Sequence, residues 1–277
     1  MYKYLNSLSK EKRFIAHGGK RLKKKSKNEF TIITVVKNSE TTIDRTIQSV
    51  LRQKKVKVEY IIIDGNSNDN TLGIIKKNQR KIDYWCTIKD KGIYDAMNYG
   101  LKLAKSKYIC IINSDDIFYN DFSLHKIKKY FNKNKIIDYM FGTVKRHYLK
   151  NNLILKTGFN KKRFMYNFDS QTSHSTGFFI KNRVQKRIGL YDLNFKCSSD
   201  YDLFFRLFSD NRIIGGFTKK NEIIGEVSSG GYSSKYGFWN HLFEESKIRI
   251  KNKKNKFIIL IIFFNAIIKH YIRKIFL

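Results

Sequence analysis

The chain has 277 residues, enough for one large α/β domain with a sizeable core. Its 42% hydrophobic and 15% aromatic content excludes a disordered or low-complexity protein. With 56 Lys and Arg against 23 Asp and Glu, the formal net charge of +33 favours anionic partners such as nucleic acid, acidic lipid headgroups or phosphorylated ligands.

Part of that excess has a compositional origin. The chain contains no proline and is crowded with Lys, Asn and Ile, the mark of AT-rich coding. The same bias would raise Glu, yet acids stay scarce, so a preference for anionic surfaces remains. Cys86, Cys110 and Cys197 form no CxxC pair, which fits a reducing cytoplasm. The leading "MYKYLNSLSKEKRF" is polar and basic and lacks the apolar centre of a signal peptide. The longest apolar run, Phe257 to Ile268, is too short for the roughly 20 residues of a bilayer span.

Residues 1–28 carry ten Lys or Arg and read as a basic extension or surface-bound arm. From Phe30 the pattern is regular. "FTIITVV" predicts a buried strand, and "TIDRTIQSVLRQ" sets Ile43, Ile47, Val50 and Leu51 at helical spacing. "VEYIIID" predicts a second strand, "TLGIIKKN" a helix, "IDYWCTI" a third strand, "GIYDAMNYGLKLAKS" a helix and "YICII" a fourth strand. Alternation of this kind means βαβ units and a mainly parallel sheet flanked by helices. Beyond Phe118, "SLHKIKKYF" reads as helix and "YMFGTVKRHYLKNNLILKTG" as antiparallel strands. "SSDYDLFFRLFSD" reads as a helix opening on a Ser/Asp cap, "GEVSSGGYSS" as a Gly/Ser loop, and the segment from Phe238 as a basic, finally apolar helical tail. The domain reading is therefore 1–28 extension, 29–235 catalytic domain (29–120 and 121–235 as its halves) and 236–277 tail.

In open parallel sheets, ligands sit beyond the carboxyl ends of the strands. "DGNSND" and "NSDD" both lie at such ends and converge on one crevice. Asp115 and Asp116 repel each other there unless a cation is present, and hard carboxylate oxygens suit Mg²⁺ or Mn²⁺. Asp64 could accept hydrogen bonds from a base or ribose, and Asn38 closes the first strand. Asp200 and Asp202 open a helix, where either could cap it or act as a general base. His174 in "SHSTGFF" is a candidate phosphate or acceptor contact.

The ordered series "FTIITVVKNSETTIDRTIQSVLRQ", "EYIIIDGNSNDNT" and "IDYWCTIKDKGIYDAMNYGLKLAKSKYICIINSDDIFY" resembles the N-terminal half of the family 2 glycosyltransferases. It is especially similar to the bacterial branch that builds colanic acid, capsule and O-antigen chains. The match is close over about residues 30–120 and weaker through "HSTGFFIKN", "IGLYDLNFKCSSDYDLFFRL" and "EVSSGG". The resemblance implies a GT-A fold, a nucleotide-diphosphate sugar donor (a UDP-sugar first) and inversion at the anomeric carbon. It implies that Thr34, Val36, Asn38 and Asp64 line the nucleoside pocket, that Asp115 meets the ribose or metal, and that Asp116 meets the metal and diphosphate. Asp200 matches the family's base, and nearby Lys91 would steady the leaving diphosphate. Asn113 and Ser199 depart from the acidic residues frequent at their positions. The acceptors of this branch are usually lipid-linked saccharides at the inner face of the cell membrane. A basic, apolar tail suits peripheral attachment to anionic lipid there, and a homo-oligomer stays open. Two rivals are a basic nucleic-acid-binding protein, which lacks any groove-reading motif here, and a nucleotidyltransferase, whose Gly-rich loop "KNSETT" replaces. A catalytically inactive GT-A scaffold is the third.

Overall fold

The structure is a computed structural model in which residues 13–20, 28–147, 152–154, 164, 175–228 and 235–275 are described. The first half runs β1 (Phe14–Gly18), β2 (Phe30–Val36), α1 (Ile43–Leu51), β3 (Val58–Asp64), α2 (Thr71–Asn78), β4 (Tyr84–Ile88), α3 (Ile93–Leu103) and β5 (Tyr108–Asn113). Then follow β6 (Ile117–Phe118), α4 (Ser123–Lys133), β7 (Tyr139–Phe141), β8 (Thr143–His147), β9 (Asn152–Ile154), β10 (Phe178–Lys181) and α5 (Asn182–Ile188). The chain continues through α6 (Ser199–Ser209), β11 (Gly215–Phe217), β12 (Ile223–Val227), α7 (Phe238–Lys251) and α8 (Lys256–Ile275).

An eight-stranded sheet in the order β1-β4-β3-β2-β5-β10-β7-β11 forms the centre. The four strands β4, β3, β2 and β5 are parallel, as the βαβ alternation predicts. Their β-branched runs are buried on both faces, since helices cover both. Ile33, Val35, Ile61 and Ile63 point into one core with Met97 and Leu101 of α3. Ile32, Val36, Tyr60 and Ile62 point into the other with Ile43, Ile47 and Val50 of α1. The α3 backbone sits directly on β2: a Cβ at Gly100 would lie 2.4 Å from the Ile33 side chain.

Strand order reverses between β2 and β5, because β3 and β4 lie on one side of β2 and β5 on the other. Such a switch point opens a crevice at the carboxyl ends, and the candidate acids sit at that edge.

Several segments depart from the sequence expectation. Residues 14–18 of the basic extension form β1, which pairs antiparallel with β4 and covers that sheet edge. The antiparallel reading of residues 139–158 holds for β8 and β9, but β7 joins the large sheet between β10 and β11. The start of the expected Gly/Ser loop is strand: Gly225, Glu226 and Val227 belong to β12, which pairs with β6 and β8 in a four-stranded sheet ordered β6-β12-β8-β9. Since β6 directly follows Asp116, that pairing carries Ser228, just past β12, onto the acidic pair.

At the C-terminus α7 and α8 run antiparallel. Phe238 stacks on His270 at 3.9 Å and Phe243 lies 5.8 Å from Phe263. Ile259 and Ile262 of α8 are buried, while Phe257, Leu260, Ile261, Phe264, Ile268 and Ile272 are exposed. Among the described residues no helix is long and apolar enough to cross a membrane.

Candidate functional site

Three loops meet at the switch point and are cross-linked by side chains. After β2, Asn38 takes a left-handed backbone at φ 51°, a conformation to which Asn is better suited than most residues. Its N–H donates to Ser67 Oγ at 2.9 Å, and its Oδ1 accepts the Asn68 N–H at 2.9 Å. Glu40 and Asp69 make a similar exchange, each accepting a backbone N–H from the other's loop. Ser39 Oγ lies 2.9 Å from Ser114 Oγ, spanning the switch point from the β2 loop to the β5 loop.

Asp64, the last residue of β3, is buried and already engaged. Ser67 Oγ donates to it at 2.5 Å and Thr87 Oγ1 at 3.0 Å. Asp90 follows β4 at the same edge and lies over Gly65, where a Cβ would come within 2.2 Å of its Oδ2. Burial raises the Asp90 carboxyl, the nearby Asp95 and Asp64 charges add to this, and the Gly92 N–H and Lys37 oppose it.

The acidic pair divides by environment. Asp115 is half-buried, and its backbone carbonyl accepts from Arg45 at 2.6 Å and from Ser228 Oγ at 2.7 Å. Asp116 is only 1% exposed. Its carboxylate accepts from the Ser228 N–H at 3.1 Å, from Asn113 Nδ2 at 3.3 Å and from Thr176 Oγ1. Burial pushes its pKa up to about 6 against the pull of those donors and of Arg45. A buried carboxylate held this far above its usual range gains from a nearby cation, and Asp115 and Asp116 offer hard oxygen donors from one loop. They fit a divalent ion that takes one or two carboxylates and completes its shell with ligand phosphate and water. Among the described residues no group of three or more His, Cys, Asp or Glu is placed to hold a metal ion by itself.

Asp200 and Asp202 share the first turn of α6 but differ sharply. Asp202 is 0% exposed and ion-paired to Arg206 at 2.9 Å and to Lys251 at 3.0 Å. Asp200 is exposed, and its Oδ1 accepts the Tyr201 N–H at 2.9 Å and lies 3.2 Å from the Tyr94 hydroxyl. Tyr94 opens α3 directly after β4, so this contact brings a carboxylate of the second half to the strand-end edge of the first. Beneath it, Glu245 of α7 faces the buried Arg249 at 3.6 Å. Burial pushes the Glu245 carboxyl up to about 8; Arg249 opposes the shift and the Asp200 charge adds to it.

Of the residues singled out in sequence, Asn38, Asp64, Asp115 and Asp116 are brought together by the loops at the switch point. Thr34 and Val36 are buried within β2, with Thr34 Oγ1 bonded to Tyr60 at 3.0 Å. Lys91 begins the loop into α3, its side chain exposed. His174 lies outside the described residues. Sequence reasoning missed Asp90, Tyr94, Arg45, Thr176 and Ser228. Asp90 carried a usable signal, since it follows the end of a strand at the same edge as Asp64; the other four depend on tertiary contacts.

Comparison with known proteins agrees with this geometry. The model of glycosyl transferase family 2 matches residues 31–192, more than half of the chain. A "PGL/p-HBAD biosynthesis glycosyltransferase" of Mycobacterium bovis is 26% identical over 190 residues, covering 67% of this chain and 72% of that protein. An uncharacterized glycosyltransferase of Rickettsia typhi is 26% identical over 266 residues, covering 87% and 82%. In three dimensions the chain is similar to S. aureus TarS 1–349 in complex with UDP-GlcNAc, with a TM-score of 0.64 at 16% identity. That match covers 79% of this chain and 66% of the TarS chain, just under two thirds of its length. A mannosyltransferase from Pyrobaculum calidifontis, in complex with GDP-Man and Mn²⁺, gives 0.58 at 13% identity and covers 96% of this chain and 74% of its own. Both solved structures share the GT-A fold with this chain. Since that family model spans more than half of the chain, and the switch point with acids at its carboxyl edge agrees with it, the chain belongs to glycosyl transferase family 2.

Proposed function

We propose that the protein is an inverting glycosyltransferase that moves a sugar from a nucleotide diphosphate, UDP first, to a hydroxyl of a lipid-linked saccharide in bacterial surface-glycan assembly. The observation that carries this reading is the Tyr94–Asp200 contact at 3.2 Å, which sets an exposed carboxylate at the strand-end crevice. Asp200 takes the proton from the acceptor hydroxyl as its oxygen bonds the anomeric carbon. The bond from that carbon to the diphosphate breaks on the opposite ring face, with the charge build-up known from glycoside hydrolysis. Tyr94 and the Tyr201 N–H orient the carboxylate. Mn²⁺ or Mg²⁺ held by Asp115 and Asp116 would supply charge neutralisation for the leaving diphosphate. Arg45 and Lys91 add fixed positive charge at that edge.

Asp90, beside Asp64, is positioned to accept an N–H of the donor's base or a ribose hydroxyl.

Incubating the purified chain with Mn²⁺ and each common UDP-, GDP- and dTDP-sugar, with and without Asp116→Ala, tests this reading. Slow release of nucleotide from one donor, reduced by roughly 10² or more in the variant, is expected. Absence of any metal-dependent nucleotide binding by calorimetry would leave an inactive scaffold as the better reading.

The exposed apolar face of α8, with Lys253, Lys254, Lys256 and Lys269 in or next to that helix, supports peripheral attachment to an anionic bilayer at the inner face of the membrane. Ile261→Ser, Phe264→Ser and Ile268→Ser combined should abolish flotation with phosphatidylglycerol vesicles. Unchanged flotation, or loss of a dimer instead, would sink the attachment and assign this face to a second copy.

A further inference from the structure

Helix α6 begins without a cap of its own. Ser198 holds the N-cap position, yet its side chain makes no capping bond. Its Oγ lies instead 3.2 Å from His241 Nδ1 of α7. The first N–H groups of a helix and of the turn before it need acceptors, and here a side chain from a distant helix provides one. Glu244 of α7 accepts the Lys196 N–H at 2.7 Å through Oε1. Its Oε2 accepts the Cys197 and Ser198 N–H groups, each at 2.9 Å, and the Cys197 thiol at 3.2 Å. Burial alone would raise the Glu244 carboxyl, but the backbone N–H donors outweigh it and hold the group below the usual range. The bonds are therefore charge-assisted, the stronger class.

What this carboxylate grips is the turn that ends in Asp200. Tyr94 bonds the Cys197 carbonyl at 3.1 Å and Asp200 at 3.2 Å, so one phenol spans the gripped turn and the reacting group. Farther along α7, Lys251 holds Asp202 at 3.0 Å and Asp192 at 2.8 Å. Helix α7, read from sequence as the start of a tail, thus braces the first turn of α6 from two points.

We propose that Glu244 is a positioning residue for glycosyl transfer: it fixes the 196–198 turn so that Asp200 points at the acceptor hydroxyl. The catalytic half of this inference rests on the proposed function; the structural half does not. A displacement of about 1 Å at a reacting group can cost on the order of 10² in rate, so the grip has leverage on kcat.

The test is Glu244→Gln, close in size but uncharged and offering an N–H₂ to a ring of donors. Lys247→Ala, exposed on the same helix, serves as control. Two readouts are needed. In native-state alkylation with iodoacetamide followed by mass spectrometry, Cys197 is protected in the parent by burial, which pushes its thiol up to about 12 with the Glu244 charge adding to the shift. The variant should label Cys197 at least about 10-fold faster while the buried Cys86 and Cys110 stay protected. In turnover of the sugar donor found by the panel, kcat should fall about 10- to 100-fold with donor KM within about twofold. Unchanged Cys197 labelling overturns the grip. Labelling of all three cysteines together makes Glu244 a general stability residue and overturns the proposal. Selective labelling with kcat intact removes the positioning role. Selective labelling in a chain whose parent turns over no donor keeps the grip and removes glycosyl transfer as its purpose.

Discussion

Asp200→Asn is expected to lower kcat by about 10²–10⁴ while leaving donor KM within about twofold. Asparagine keeps an oxygen for the Tyr94 hydroxyl and the Tyr201 N–H, the two contacts that orient the native carboxylate at 3.2 and 2.9 Å. Basicity is what it loses. The retained oxygen leaves the buried Tyr94 hydroxyl its acceptor, so the thermal midpoint should move by only about a degree. Steady-state transfer kinetics beside a melting curve separate the two effects. A variant with normal kcat would place the base elsewhere and remove the central step of the mechanism.

Asp202→Ala should do the opposite, costing about 2–3 kcal/mol of stability by urea denaturation. Its carboxylate is fully buried and receives Arg206 and Lys251, so truncation leaves both cations without this partner. Breaking a wholly buried pair costs about 3–5 kcal/mol. The lower figure applies because the Arg206 and Lys251 side chains are 23% and 43% exposed and can recover water. Lys251 is the second brace between α7 and α6, so kcat should also fall, but by less than for Asp200→Asn. A loss below about 0.5 kcal/mol would show that the triad contributes no more than a surface ion pair.

These two acids show where sequence reasoning ends. Both stand in "SSDYDLFFRL", both suit the first turn of a helix, and either could be a base by residue type. Two positions apart on a helix, they face different directions. Packing of α7 against α6 buries Asp202 under Lys251, while Asp200 meets Tyr94 and solvent. No local pattern carries that distinction, because Lys251 lies 49 residues away along the chain. The same holds for the N-cap: Ser198 has the right residue type, but Glu244, 46 residues on, makes the bonds.

The parallel half of the fold was legible for a physical reason. Strands buried on both faces must be continuously apolar, and amphipathic helices must show their period, so residues 30–113 announce strand and helix locally. Their carboxyl ends could be located from the same pattern, which is why Asp64, Asp115 and Asp116 could be placed at the strand-end edge. Short strands recruited by pairing give no such signal. Phe14–Gly18 is a strand because the edge of β4 accepts it, and residues 225–227 are a strand because β6 and β8 flank them.

By itself the sequence determined the family, the alternating α/β order and the acidic loop ends, since each depends on residue type and spacing within one short segment. Only the tertiary structure decided which acid is buried, which is exposed, and that the supposed tail is bonded to the turn bearing Asp200. Those outcomes depend on desolvation and on hydrogen bonds between segments far apart in the chain, and neither exists until the segments are packed.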